Sequence, residues 1–83
     1  MTPLESQIAD AILSAVPLEI EKSEITAETS FKSLDISSME IVNVLFELEE
    51  QFKINIEAEE MFRLQTLADI ARFIEGKSAS PAF

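Results

Sequence analysis

The chain has 83 residues, 47% of them apolar, which is enough for one small domain with a hydrophobic core and argues against disorder. It contains no cysteine and no histidine, which excludes disulfides, thiolate metal sites, a thiol nucleophile and the most common general base. Sixteen acidic residues against six basic ones give a net charge of −10, which disfavours nucleic acids and anionic lipid and favours basic protein surfaces.

Features that the sequence lacks argue against a membrane protein, a calcium-binding protein and an enzyme. No positively charged leader with an apolar stretch opens the chain, and no run of 18 apolar residues occurs, so we expect a cytoplasmic protein with no membrane segment. No glycine precedes Gly76, which excludes the glycine-containing loop of helical calcium-binding proteins. The acidic residues show neither metal-ligand spacing nor a base-activated nucleophile, so we predict a non-enzyme without catalytic or metal-binding residues.

The first helix is predicted to begin after Thr2 and to stop at Pro17. Thr2 is an N-cap, Pro3 occupies the first helical position, and Glu5 completes a capping box. Apolar residues then recur at helical spacing: Leu4, Ile8, Ala11, Ile12 and Ala15. The irregular segment 18–37 is long for so small a domain, and its spaced apolar residues predict that it packs over the core.

The second helix has the clearest start signal. Ser37 and Glu40 form a capping box, which leaves Ser38 at the first helical position with its side chain free, and the helix is predicted to end at Phe52. A serine before or at a helix start is most often only a cap. However, the free N–H groups and the positive dipole end also make this position suitable for a phosphate.

Two further helices complete the predicted fold. A short third helix is expected at residues 57–62, and a fourth begins after Thr66, whose partner in a capping box is Asp69. Gly76 is predicted to end the fourth helix as its C′ residue, so the domain would span residues 1–76 and a flexible tail residues 77–83. The alternating segment 53–56 has no partner strand, which favours an all-α four-helix bundle with a long first loop and a short third helix.

The second helix carries two apolar faces. One is a core stripe, made of Ile41, Val44, Leu45, Leu48 and Phe52. The other arc contains Met39, Val42 and Phe46, lies close to Ser38, and is bordered by Asn43, Glu49 and Glu50. Two interpretations remain open at this point: the long loop covers the second arc, or the arc is an exposed docking surface for basic partners.

These features together resemble the acyl and peptidyl carrier proteins. The family pattern Phe-x-x-Leu-Gly-x-Asp-Ser-Leu corresponds here to the segment from Phe31 to Met39. Three positions depart from it, with Asp35 for the usual Gly, Ser37 for the usual Asp and Met39 for the usual Leu. The resemblance covers residues 4–74 and implies the acyl-carrier type of four-helix bundle.

The resemblance implies a 4′-phosphopantetheine on Ser38, attached by a phosphopantetheinyl transferase (carrier-protein synthase) that uses coenzyme A as donor. The thiol of this arm would hold an acyl or aminoacyl group as a thioester, and a cavity between the helices would shelter the acyl chain. The second helix would be the recognition helix for basic docking patches on biosynthetic enzymes. Its partner-binding residues would be Met39, Glu40, Val42, Phe46, Glu49 and Glu50.

Three alternatives concern what the carrier does. The seven-residue step from Phe31 to Ser38 resembles polyketide and peptide-synthesis carriers, and Asn43 stands where the main fatty acid carriers generally have an acid. The first reading is therefore a carrier of a specialised fatty acid or polyketide pathway. An aminoacyl or peptidyl carrier is a second reading. The third is a helical interaction module of the same fold whose Ser38 is never modified. In each case we expect a monomer that presents its cargo or its surface to other proteins.

Overall fold

The structure is a computed structural model that describes residues 2–17 and 19–79. Four α-helices follow one another within these ranges: α1 is Pro3–Ala15, α2 is Ser38–Phe52, α3 is Ala58–Arg63 and α4 is Leu67–Ala79. A 3-10 turn, Lys22–Glu24, lies in the long connection between α1 and α2. Within the described ranges the chain forms no strand, and its one isolated bridge joins Ser30 to Thr66. The all-α prediction is confirmed.

The predicted helix starts are formed as the sequence indicated. Thr2 and Glu5 make the reciprocal bonds of a capping box at α1. Thr66 and Asp69 do the same at α4, with the Thr66 N–H donating to Asp69 Oδ2 at 3.2 Å and the Asp69 N–H to Thr66 Oγ1 at 3.1 Å. These bonds satisfy N–H groups that have no partner within the helix.

One core holds the helices together. α1 packs against both α2 and α4, and α3 packs against α2. The side chains that are fully buried come from every helix and include Ile8, Val44, Leu48, Met61, Leu67, Ile70 and Ile74. The predicted core stripe of α2 is buried at Val44, Leu45 and Leu48, whereas Ile41 and Phe52 at its two ends are half-buried.

The long connection between α1 and α2 packs over this core. Ile25, Phe31 and Ile36 are buried, as the spaced apolar residues of this segment predicted. Its backbone also completes the start of α4, because the carbonyl groups of Ala27 and Thr29 accept from the N–H groups of Ala68 and Leu67, at 2.8 and 2.9 Å. A segment without regular structure is thereby ordered by tertiary contacts.

The predicted end of α4 is wrong. The helix continues through Gly76 to Ala79, and Gly76 does not adopt the positive φ that a C′ residue requires. Lys77 makes tertiary and local contacts in this last turn: its ammonium lies 3.6 Å from a Glu60 carboxylate oxygen and 5.2 Å from the centre of the Phe73 ring. Residues 77–79 therefore belong to the helix, and the rest of the predicted tail lies outside the described residues.

Within the described part of the chain, no helix is long and apolar enough to cross a membrane. The same residues contain no group of three or more acidic side chains placed to hold a metal ion.

Candidate functional site

Ser37 and Ser38 have different roles at the start of α2. Ser37 is the N-cap: its Oγ accepts from the Glu40 N–H at 3.3 Å, and its own N–H donates to Glu40 Oε1 at 2.9 Å. Ser38 is the first residue of the helix, is exposed, and takes no part in this cap. The Ser37 hydroxyl therefore caps the helix, whereas Ser38 is exposed to solvent.

The surroundings of Ser38 suit a phosphodiester. The amide groups of Ser38 and Met39 belong to the first turn of a 15-residue helix and have no acceptor within it. Free amides and the positive end of the helix dipole favour a negative group at this position. The acid of the first turn, Glu40, accepts a hydrogen bond from the Ser37 backbone N–H.

The turn before this helix contains one strained residue. Asp35 has a φ of 56°, in the left-handed region that glycine enters at low cost. This is the position at which the carrier pattern has glycine, so the backbone geometry gives a physical reason for that preference. Asp35 is among the few residue types that tolerate this region, because its short polar side chain can interact locally.

The second apolar arc of α2 is uncovered. Met39 is 77% exposed and Phe46 is 59% exposed, whereas Val42 between them is half-buried. The long loop therefore does not cover the ends of the arc, and the interpretation that placed Phe46 in the core is wrong. Exposed large apolar side chains that share one face of a helix are typical of a contact surface.

The three acids expected to surround this arc are not equivalent. Glu40 accepts a hydrogen bond in the cap of α2, and Glu49 Oε2 accepts one from the Ile56 N–H at 2.7 Å. Glu50 is exposed and takes part in none of the ion pairs among the described residues, which join Lys22–Asp10, Arg72–Asp69 and Lys77–Glu60. Glu50 is therefore the acid most available to a partner, while Glu40 and Glu49 also support the fold.

An open cleft of about 510 Å³ is lined by residues that flank Ser38 in the sequence. Ile36 precedes the serine by two residues and Ile41 follows it by three, and both line the cleft. The other lining residues come from the loop before α2 and from α3 and its end: Ser30, Phe31, Lys32, Phe62, Leu64 and Gln65. The two sides are joined where the Phe31 N–H donates to the Gln65 carbonyl at 3.2 Å. A flexible arm on Ser38 would have this mostly apolar space within reach.

Phe62 is a candidate residue that the sequence interpretation missed. It lies on α3, is 49% exposed and lines the cleft. α3 has only six residues, so its apolar pattern cannot separate a buried position from an exposed one. The buried side chain of that helix is the neighbouring Met61. The sequence shows that two large apolar residues, Met61 and Phe62, are adjacent in this helix. Which of them is buried follows only from how the helix packs.

Comparison with known proteins gives a consistent result. Residues 7–74 match the family model described as "Phosphopantetheine attachment site". An acyl carrier protein of Exiguobacterium sp. is 40% identical over 76 residues, covering 88% of this chain and 96% of the relative. An acyl carrier protein of Streptococcus pyogenes serotype M3 is 41% identical, covering 70% of this chain and 76% of the relative. An acyl carrier protein of Lactococcus lactis subsp. cremoris is 33% identical, covering 66% of this chain and 73% of the relative.

Proposed function

The chain belongs to the acyl carrier protein family, and from this premise we propose that Ser38 carries its prosthetic group. Acyl carrier proteins are non-catalytic, and their cofactor is a covalently bound 4′-phosphopantetheine, which is therefore the cofactor of this chain. When bound, the group supplies a thiol that holds cargo as a thioester. The observation that carries the assignment is the exposed Ser38 at the first position of α2, outside the cap made by Ser37.

The residues around Ser38 fit such a group. The free first-turn amides of α2 favour the phosphate, and Ile36 and Ile41 provide an apolar surface on either side of the serine in sequence. The chain itself holds and orients the arm and partly shelters the cargo from water. With neither cysteine nor histidine in its sequence, it contributes no thiol and no imidazole to the transfer steps, which belong to its partners.

The partners are a phosphopantetheinyl transferase and acyl-transferring biosynthetic enzymes. We propose that they dock on α2, with Met39, Val42 and Phe46 as the apolar contacts and Glu50 as the principal acid. An ionised carboxylate can accept about four hydrogen bonds. Glu40 and Glu49 therefore keep acceptor positions for a partner in addition to their hydrogen bonds with the backbone. The excess of carboxylates favours basic docking patches, and the carrier acts as a monomer in these encounters.

The cargo is proposed to be an acyl group of a specialised fatty acid or polyketide pathway. The named relatives are acyl carriers, and the cleft is lined by five apolar side chains, which suits a hydrocarbon chain more than an amino acid. The spacing from Phe31 to Ser38 and the uncharged Asn43 support a specialised pathway. An aminoacyl cargo is the second candidate, favoured by the polar lining residues Lys32 and Gln65.

Intact-mass measurement tests the attachment site. The protein is incubated with coenzyme A and a broad-specificity phosphopantetheinyl transferase, and the wild type is expected to gain one phosphopantetheinyl mass. Ser38→Ala should abolish the gain and keep its helical circular dichroism. Ser37→Ala should lose about 1 kcal/mol of stability with its cap and still be modified. Modification of Ser38→Ala, or a wild type that is never modified, would refute the assignment.

A further inference from the structure

The side chain of Glu49 is bound to backbone beyond its own helix. Its Oε2 accepts a hydrogen bond from the N–H of Ile56 at 2.7 Å, seven residues further along the chain. The bond spans the end of α2, where Lys53 turns the backbone with a φ of 55°. Glu49 is half-buried and Ile56 is buried, so the bond is partly protected from water. Hydrogen bonds to an ionised acceptor are among the stronger ones in proteins.

The tether acts on the residue that leads into α3. Ile56 immediately precedes Glu57, the N-cap of this helix. With six residues, α3 is too short to be stable by itself, so its position depends on contacts with the rest of the protein. These contacts include the buried Met61, the ion pair between Glu60 and Lys77, and the bond from Ile56 to Glu49. The last of them links the segment before α3 directly to α2.

α3 in turn forms part of the cleft. Phe62 lies in the helix, Leu64 is its C-cap, and both line the cleft. Ile41 lines the same space from α2, the helix that carries Glu49. A shift of α3 away from α2 would therefore widen the cleft, although Met61 would still anchor the helix in the core.

We infer that Glu49 is a positioning residue: it holds Ile56, thereby places α3 against α2, and keeps the cleft formed around the cargo. Its neighbour Glu50 is exposed and makes no such bond. Glu49 therefore shapes the cleft, whereas Glu50 is the acid that contacts partner proteins. The part of this inference that concerns cargo rests on the proposed attachment at Ser38. The part that concerns α3 does not.

Amide hydrogen exchange on the unmodified protein tests the tether. In Glu49→Ala, the Ile56 amide is expected to exchange at least about tenfold faster than in the wild type, as loss of a hydrogen bond to a charged group predicts. Glu49→Gln keeps a side-chain carbonyl acceptor and should restore much of the protection. Glu50→Ala removes the same charge from the next residue and should leave Ile56 unchanged. Equal Ile56 exchange in Glu49→Ala and the wild type would overturn the inference.

Cleavage of a loaded thioester by hydroxylamine tests the effect on cargo. With an octanoyl group on the arm, Glu49→Ala is expected to lose the thioester about two- to fivefold faster than the wild type, because the cleft opens without the protein unfolding. Thr2→Ala is the matched control, since it loses a cap of α1 worth about 1 kcal/mol without touching α3. It should cleave at the wild-type rate.

The two experiments test separately whether Glu49 holds α3 and whether it affects the cleft around the cargo. Equal acceleration in Thr2→Ala and Glu49→Ala would show general loosening and refute a specific positioning role. Faster Ile56 exchange with unchanged thioester cleavage would refute the effect on the cleft. A protein whose Ser38 never accepts the arm would overturn the proposed function and the cargo part together, while the exchange experiment would still decide whether Glu49 holds α3.

Discussion

Leu45 and Phe46 are neighbours in α2, yet Leu45 is 3% exposed and Phe46 is 59% exposed. Successive residues of an α-helix are about 100° apart, so the two side chains fall on different faces. Leu45 belongs to the core shared with the other helices. Phe46 places a large aromatic ring in solvent on the same face as Met39, which is unusual unless another surface covers it.

Truncating the two neighbours should therefore have opposite consequences. Phe46→Ala is expected to change stability by less than about 0.5 kcal/mol and to weaken docking to the transferase in a way that salt hardly alters. Leu45→Ala should cost about 2–5 kcal/mol, as is typical of buried leucines. Thermal melts and modification kinetics measure both effects. A Phe46→Ala variant that melts as early as Leu45→Ala would place Phe46 in the core.

Reversing the charge of Glu50 should slow association with basic partners. Glu50→Lys is expected to reduce the rate of modification at low salt, and the difference should shrink as the ionic strength rises, because screening weakens steering. Glu75→Lys makes the same charge change at an exposed position of α4 and serves as the control. If both variants are slowed equally, net charge and not the α2 surface governs the encounter.

Asp35 is expected to be a site of local strain. Asp35→Gly should raise the melting temperature, corresponding to a gain of up to about 1 kcal/mol, because glycine adopts a φ of 56° without the steric cost of a Cβ atom. Asp35→Val should lower it, since a β-branched residue tolerates this region poorly. Differential scanning calorimetry compares the three proteins. A less stable glycine variant would mean that the Asp35 side chain contributes more than its backbone costs.

Gly76 tests the observed end of α4. In the structure it lies inside the helix, is exposed, and has no atom within 4 Å of the position that a Cβ would occupy. Gly76→Ala should therefore stabilise the protein by about 0.5–1 kcal/mol, the difference in helix propensity between the two residues. A glycine in the left-handed C′ conformation would give the opposite sign. The melting temperature of this single variant distinguishes the two arrangements.

Asp69 should make part of the stability depend on pH. The Thr66 backbone N–H, followed by the Gln65 N–H, Arg72 and the Thr66 hydroxyl, holds the pKa of Asp69 below its ordinary value of 3.8, against the opposing effect of burial. Since the folded-state pKa is the lower one, this stabilisation is complete above the unfolded-state value and is lost as the pH falls below it.

Replacing the Asp69 carboxylate should make the free energy of unfolding depend less on pH in acid. Asp69→Asn is expected to melt earlier than the wild type at pH 7 and to lose less stability between about pH 5 and pH 2, where the wild-type side chain becomes protonated. Glu75→Gln, an equal charge change on the exposed side of α4, should follow the wild-type profile. Parallel profiles for Asp69→Asn and the wild type would contradict the linkage.

The sequence alone determined the features whose causes are local. The capping boxes at Thr2, Ser37 and Thr66 involve partners three residues away, so the starts of three helices, with Ser37 as the cap and Ser38 outside it, could be predicted directly. The core face of α2 followed from its period, because residues that recur every three or four positions share one side of a helix.

Tertiary structure decided what depends on distant partners. The helix continues past Gly76, and there Lys77 reaches Glu60 on another helix, a contact that no local rule contains. The exposure of Phe46 depended on where the long loop packs, and the position of Phe62 at the cleft and the bond from Ile56 to Glu49 depended on how α3 lies against α2. Local hydrogen bonds and periodicity are encoded over a few residues, whereas burial and the shape of a cleft result from segments that meet only when the whole chain has folded.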